Sequence, residues 1–140
     1  MKNIKGFTMI ELLGTITIMG ILLGVAVPAV SRHIARSREQ AYETLLKTSY
    51  EAAQSKATNT MADPTSSPSG IEYSIIDLAK EGYMDDPIDP QKDRSLCTGT
   101  VKITGSTNAS GMNTYKYKVV LTCSGKTRTR TFDTDGTVED

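Results

Sequence analysis

The sequence predicts an α+β protein in which one long amino-terminal helix precedes a small antiparallel sheet. Residues 7–30 form an apolar run in which Glu11 is the only residue that can carry a charge. Apolar positions then recur at helical spacing to about residue 57, and from residue 101 onward they alternate as in half-buried strands. The two periodicities follow one another along a chain of 140 residues, so helix and sheet occupy separate parts of it.

The apolar run is long enough to cross a membrane. A helix of these 24 residues rises about 36 Å, and the hydrocarbon core of a bilayer is about 30 Å thick. An ordinary secretory signal has a shorter apolar core, and its cleavage site follows that core. We therefore expect the run to stay in the mature protein, where an unpaired Glu11 carboxylate is costly in lipid.

Residues 6–13 read Gly-Phe-Thr-Met-Ile-Glu-Leu-Leu, directly behind a short basic segment. This stretch resembles the processing and assembly motif of type IV prepilins and their pseudopilin relatives. The resemblance implies that a prepilin peptidase removes a leader that ends at Gly6 and methylates the new amino terminus at Phe7. It also implies that Glu11 serves in subunit assembly. The resemblance covers about the first 30 residues, including Pro28 where pilins commonly have a proline.

Electrostatics agrees with the assembly role of Glu11. The amine of a new terminal Phe7 is cationic at neutral pH, and methylation keeps that charge. Pairing of Glu11 with the amine of a neighbouring subunit would offset the cost that either charge alone suffers in lipid. The alternative is that Glu11 only lies at the membrane interface, with its carboxylate reaching the headgroups.

Gly20, Gly24 and Pro28 lie inside the predicted long helix. In one interpretation they are ordinary membrane-helix residues, since glycines allow close helix approach and a proline kink is tolerated. In the other, residues 20–28 are a weak stretch that unwinds when subunits pack into a fibre, as the resemblance to pilins implies. The missing backbone donor of Pro28 makes such weakness physically reasonable.

Beyond the apolar run the helix is predicted to continue as the amphipathic support of a globular domain. Residues 59–70 are polar, contain two prolines and predict a loop. A short helix is predicted near residues 75–81, with Ser74 as its N-cap and Gly82 as its stop. Residues 85–90 contain two further prolines and predict a turn segment.

The carboxy-terminal part predicts an antiparallel sheet of three or four strands. Val101 and Ile103 lie on one face of a short strand, and alternate residues of 115–123 lie on one face of a longer one. Residues 105–113 are rich in glycine, serine and asparagine and predict the hairpin loop between the two strands. A third strand over residues 127–132 follows a Ser-Gly turn, and its register stays open.

The two cysteines, Cys97 and Cys123, are predicted to form a disulfide. A register with Val101 opposite Val119 also places Cys97 opposite Cys123 on the same face, so one register satisfies the core and the disulfide together. Pairing is also the default expectation if this part lies outside the cytoplasm. A metal pair is the alternative, but two thiolates without a nearby histidine or third cysteine make a poor zinc site.

Composition argues against several other functions. Without Lys2 and Lys5 the chain has 16 − 2 = 14 basic against 16 acidic side chains, so we predict no specific nucleic-acid binding. His33 is the only histidine, and we expect no enzyme, no metal and no cofactor. Residues 133–136 read Asp-Thr-Asp-Gly but fail the calcium-loop spacing. A turn is the better interpretation, although some major pseudopilins hold calcium in their carboxy-terminal loops.

The sequence therefore predicts four segments: a cleaved leader (residues 1–6), a membrane and fibre-core half of the helix (7–30), an amphipathic half (31–57) and a globular α+β domain (58–140). We expect a major structural subunit of a type IV pilus, held in the bacterial cytoplasmic membrane as a precursor and then polymerised into a cell-surface filament. Its expected partners are further copies of the chain, the prepilin peptidase, and the assembly platform and motor.

Two alternatives to the pilus subunit stay open. One is a major pseudopilin of a type II secretion or competence (DNA-uptake) machine, because those subunits share the motif. The other is a single-span membrane-anchored binding protein that does not polymerise.

Overall fold

The protein is described by a computed structural model over residues 6–67, 69–92 and 94–139. Apart from Gly6, the predicted leader lies outside the described residues. The elements in chain order are helix α1 (Met9–Asn59), strand β1 (Ile71–Ser74), helix α2 (Ile75–Lys80), and strands β2 (Thr98–Thr107), β3 (Asn113–Cys123) and β4 (Lys126–Asp133). The α+β class is confirmed, with a long helix followed by a four-stranded antiparallel sheet.

The chain divides into an amino-terminal unit that ends at Glu39 and a carboxy-terminal unit that begins at Gln40. In the amino-terminal unit, every large apolar side chain from Phe7 to Val30 is more than half exposed. A helix that is apolar all round needs an apolar environment, either a protein core or a membrane. By length and composition, with a mean hydropathy of 2.2 over its most apolar window, α1 can span a membrane.

In the carboxy-terminal unit, the last turns of α1 pack on the inner face of the sheet. The ring of Tyr50 contacts Tyr117 edge-on and stacks on Phe132, with both centroid distances at 4.9 Å. Aliphatic side chains from α1 and the sheet make up much of the remaining core, which also includes Tyr42, the two cysteines, and Ile75 and Leu78 of α2. Among the fully buried aliphatic residues are Leu46, Ala53, Val101, Ile103, Val119 and Leu121.

The sheet has the order β1-β2-β3-β4, and each neighbouring pair is antiparallel. The predicted hairpin register is confirmed, because Val101 lies opposite Val119. The register of the third predicted strand, left open by the sequence, places Arg130 opposite Val119. The fourth strand is β1, which pairs with β2 through Tyr73 and Val101.

The hairpin loop is shorter than the predicted 105–113, because β2 and β3 extend into that range. Cross-strand hydrogen bonds between polar side chains hold the extension. The hydroxyls of Ser106 and Thr114 lie 2.9 Å apart, and Thr107 donates to Asn113 at 2.7 Å. Threonine favours strands as a β-branched residue, and this preference prevailed over the glycine and asparagine content of the segment.

Helix α2 follows β1 directly and ends in a Schellman motif. The N–H of Gly82 donates to Ala79 and that of Tyr83 to Leu78, each at 3.0 Å, and Gly82 has a φ of +81°. This left-handed conformation favours glycine, so the predicted stop is confirmed. Ser74 is the N-cap residue as predicted, but its side chain makes no capping hydrogen bond.

Candidate functional site

The first turn of α1 is closed by a capping box between Thr8 and Glu11. The backbone N–H of Thr8 donates to Glu11 Oε2 at 3.0 Å, and the Thr8 hydroxyl donates to the same oxygen at 2.8 Å. In return, the N–H of Glu11 reaches Thr8 Oγ1 at 3.4 Å. The box supplies acceptors for backbone N–H groups at the start of the helix, which have no intrahelical carbonyl to bond. It also holds a carboxylate at the positive pole of the helix.

The capping box leaves part of the Glu11 carboxylate open. Both hydrogen bonds go to Oε2, and Oε1 accepts none from the described part of the chain. Glu11 is exposed, and so is Phe7, whose side chain is 86% exposed. In an apolar environment a cationic donor at Oε1 would make a strong, charge-assisted hydrogen bond. The capping bonds therefore leave Oε1 open to a further donor.

The residues predicted for cleavage and methylation lie just before α1. Gly6 and Phe7 are exposed and have irregular backbone, whereas the helix begins at Met9. Exposed, non-helical backbone is the kind that proteases cleave. The assignment of cleavage to Gly6 and methylation to Phe7 stays a prediction.

Gly20, Gly24 and Pro28 lie within α1, which runs through all three without a break. A Cβ atom added at Gly20 or Gly24 would meet no atom within 4 Å. Packing within this chain gives no reason for glycine at either position, whereas close approach of a neighbouring helix supplies one. That residues 20–28 unwind in a fibre also stays a prediction.

In the carboxy-terminal unit, a disulfide fastens the segment ahead of β2 to the end of β3. Cys97 and Cys123 are bonded, with their Cα atoms 4.5 Å apart, and both are buried. The backbone N–H of Cys97 also donates to Pro87 at 2.7 Å. The disulfide and this hydrogen bond together therefore tie the proline-containing segment (residues 85–90) to the sheet.

A buried carboxylate, Asp89, fastens the same segment a second time. Its side chain is only 2% exposed, and it accepts hydrogen bonds from the Tyr42 hydroxyl and the Gln91 N–H, each at 2.8 Å. The Ser124 hydroxyl donates to its other oxygen. Burial raises the pKa of Asp89, but the bonds from Ser124, Gln91 and Tyr42 outweigh burial and leave the pKa below its ordinary value.

Sequence reasoning missed Asp89 and placed it only in a turn segment. Its hydrogen-bond partners Tyr42 and Ser124 lie 47 and 35 residues away in sequence, and no local sequence pattern indicates contacts between such distant residues. The capping box was also missed, although its signal was present. A threonine followed three residues later by glutamate, ahead of an apolar run, is a recognised helix start.

His33 and residues 133–136 are the other positions considered for metal binding in the sequence. His33 is exposed on α1, and no group of three or more potential metal-ligating side chains occurs within residues 6–67, 69–92 and 94–139. At residues 133–136 the Asp135 carboxylate accepts bonds from the hydroxyl and N–H of Thr137, at 2.7 and 3.0 Å. Gly136 has a φ of +82° and donates to Asp133, so this segment is an Asp-Gly turn.

Comparison with known proteins extends the similarity beyond the first helix. Residues 1–27 match a family model described as the prokaryotic N-terminal methylation motif. The chain is also 32% identical, over 98 residues, to the protein named Competence protein ComGC of Bacillus subtilis (strain 168). The aligned region covers 69% of this chain and 92% of that relative. No solved structure matches the chain.

Proposed function

The chain belongs to the type IV pilin and pseudopilin family, and on that premise we propose that it is the repeating structural subunit of a helical filament. A prepilin peptidase removes residues 1–6 and methylates Phe7, and an assembly platform and motor then extract the subunit from the membrane. The peptidase and the motor perform the chemistry. The chain itself is their substrate and building block, not an enzyme.

One observation carries the proposal: every large apolar side chain from Phe7 to Val30 is exposed within the chain, on all sides of the helix that begins at Met9. Such a surface is stable either in lipid or against identical helices, and the chain enters these two environments one after the other. The precursor lies in the cytoplasmic membrane, and the filament then buries the same surface between neighbouring subunits. Burial repeated along a fibre stabilises it without any further ligand.

Glu11 sets the axial position of each subunit in this proposal. Its open Oε1 accepts a hydrogen bond from the methylated amine of Phe7 on a neighbouring subunit, while Thr8 keeps Oε2. The pair removes two unpaired charges from an apolar environment at once, so the register that forms it is favoured over other registers.

The name of the relative favours one of the candidate machines. Similarity to Competence protein ComGC favours a filament that serves competence, and hence DNA uptake, over the cell-surface type IV pilus expected from the sequence. The secretion pseudopilus shares the motif but gains no support from this relative. We therefore propose that the chain forms a competence filament, and we keep a surface pilus as the second candidate.

Intact-mass measurement of the protein from its own host tests processing. We expect loss of residues 1–6 and a gain of one methyl group at Phe7. A retained leader would overturn the proposal in favour of a single-span anchored protein that does not polymerise.

Filament assembly is tested by electron microscopy and mass spectrometry of sheared material. Wild-type cells should yield filaments in which this chain is the main component, and Glu11→Gln should reduce them strongly. Glu51→Gln is the matched control, because Glu51 is an exposed glutamate on the same helix. Equal yields from the two variants would contradict the role of Glu11. Absence of wild-type filaments would contradict polymerisation altogether.

Natural transformation separates the two machines. A deletion strain should take up added DNA far less often than wild type if the filament serves competence. Unchanged transformation with loss of surface filaments would assign the chain to a surface pilus instead.

A further inference from the structure

Charge is strongly segregated along the carboxy-terminal unit. Residues 63–93 carry eight acidic and two basic side chains, whereas residues 94–132 carry seven basic and no acidic ones. The chain as a whole has no net charge. The carboxy-terminal unit therefore contains one acidic and one basic region, although the net charge of the chain is zero.

The basic region includes an unpartnered face of the sheet. Lys102 and Lys118 lie directly opposite each other on β2 and β3, and both are exposed. Neither has an ion-pair partner among the residues that the structure describes. Glu72 lies opposite Lys102 on β1 but forms no ion pair with it there. Val120, half-buried, lies next to Lys118 on this face, which we call the basic face (Lys102, Lys118 and Val120).

The acidic region includes an exposed surface with an apolar centre. Asp85 and Asp86 are exposed and have no side-chain partner within the described ranges. Just beyond them, Ile88 and Leu96 pair through an isolated bridge, although their side chains are 52% and 47% exposed. We call these four residues the acidic loop.

Leu96 of the acidic loop and the basic face lie on the same, outer side of the sheet but at different ends, whereas Asp85 and Asp86 line a groove with Thr48 of α1. Leu96 continues the alternation that exposes Thr98 and Lys102 and buries Cys97 and Val101. Leu96 precedes Lys102 by six residues, a separation of about 20 Å along a strand at about 3.3 Å per residue. Leu96 and Lys102 therefore belong to different surfaces of the unit.

We propose that the acidic loop of one subunit docks on the basic face of a second copy of this chain. Asp85 and Asp86 then face Lys102 and Lys118, and Ile88 and Leu96 cover Val120. The contact uses two different surfaces, so it can repeat from subunit to subunit, and it gives an open helical filament when the rotation between subunits does not close. The inference rests on the proposed filament and adds a contact between carboxy-terminal units that selects the partner and its orientation.

A second copy is favoured over nucleic acid as the occupant of the basic face. Nucleic acid would account for Lys102 and Lys118 but not for the exposed acidic and apolar side chains on the same unit. Two copies of the chain account for both surfaces together.

Charge exchange in the native host tests the contact. K102E/K118E and D85K/D86K should each reduce the yield of sheared filaments about tenfold, because like charges then face each other. The variant that carries all four substitutions should recover most of the yield, since the charges match again. K47E/K80E, which reverses two exposed lysines outside the basic face, is the control and should assemble like wild type.

Folding is checked by thermal unfolding of each variant purified in detergent. Failure of the fourfold variant to recover filaments, with all variants folded, would overturn the contact. Unchanged yields in both double variants would overturn it as well. Unchanged yields together with weaker DNA binding by K102E/K118E filaments would assign the basic face to nucleic acid. All three outcomes are distinguishable from failure of the proposed function, in which wild type itself yields no filaments.

Discussion

The Tyr42 hydroxyl donates a 2.8 Å hydrogen bond to the carboxylate of Asp89, across 47 residues of sequence. Tyr42 belongs to α1, Asp89 to the segment ahead of β2, and Ser124, which bonds the second oxygen, to the turn between β3 and β4. Arg128 adds a cation–π contact at 3.7 Å from the Tyr42 ring. One buried carboxylate therefore joins three parts of the carboxy-terminal unit, two of which the Cys97–Cys123 disulfide also connects.

Tyr42→Phe should destabilise the folded chain by about 2 kcal/mol, because a hydrogen bond to a buried charged group is lost while the ring is kept. Urea unfolding in detergent, followed by tyrosine fluorescence, measures the change. Tyr115→Phe is the matched control, since the Tyr115 hydroxyl has no hydrogen-bond partner in the described part of the chain. We expect the control to change stability by less than about 0.5 kcal/mol. Equal effects of the two variants would show that the Tyr42–Asp89 bond contributes nothing.

Asp89 should also make the protein sensitive to acid. Its pKa in the folded state lies below the unfolded value of about 3.9. The stability that its carboxylate contributes is therefore complete above about pH 5 and is lost as the pH falls through the folded pKa. Asp89→Asn should be less stable than wild type at pH 7, and the difference should shrink towards pH 2.

Thermal unfolding between pH 2 and pH 7 measures this convergence. Part of the acid sensitivity should remain in Asp89→Asn, because hydrogen bonds from Thr65 and Thr137 also lower the pKa values of Asp63 and Asp135. Asp85→Asn, at an exposed position, should follow the wild-type curve. A constant difference between Asp89→Asn and wild type across this range would contradict an ionised Asp89 in the folded state.

Removal of the disulfide should cost about 3 kcal/mol, the value expected for a closed loop of this length. The bond spans 26 residues, and both cysteines are buried, so Cys97→Ala with Cys123→Ala leaves small apolar side chains in the core. For a domain of about 100 residues this corresponds to a fall in Tm of roughly 12–24 °C. Reduction of the wild-type protein should produce a similar fall and leave the double variant unchanged. A Tm that is insensitive to reductant would contradict the prediction.

Local patterns in the sequence predicted most of the fold. The apolar run, the later 3.6-residue period and the alternation around Val119 each report a surface that must be buried in lipid or in a core. The register of β2 and β3 could be predicted because Val101 and Cys97 both need partners on the same face of β3, and only one pairing of the strands provides both partners. Where burial and covalent geometry restrict the same residues, sequence alone is sufficient.

The remaining features depend on contacts between distant residues. β1 contains only four residues and is a strand because the edge of β2 is available to it, not because of its own pattern. The glycine at position 99 also depends on a distant residue, since a Cβ there would lie 2.0 Å from the Val120 carbonyl oxygen on the neighbouring strand. At the candidate site, Glu11 was found through its motif, whereas Asp89 became visible only when the fold brought Tyr42 and Ser124 to it.

The capping box at Thr8 should stabilise the first turn of α1 independently of assembly. Thr8→Val removes the hydroxyl that donates to Glu11 and accepts from the Glu11 N–H, and it keeps the branched shape of the side chain. Loss of an N-cap costs about 1 kcal/mol, which corresponds to about fivefold faster hydrogen exchange of first-turn amides. The Leu12 N–H, which donates to the Thr8 carbonyl at 3.2 Å, is the reporter in micelles. Thr8→Ser keeps the hydroxyl and should exchange like wild type, whereas equal exchange in Thr8→Val and Thr8→Ser would mean that the hydroxyl does not hold the turn.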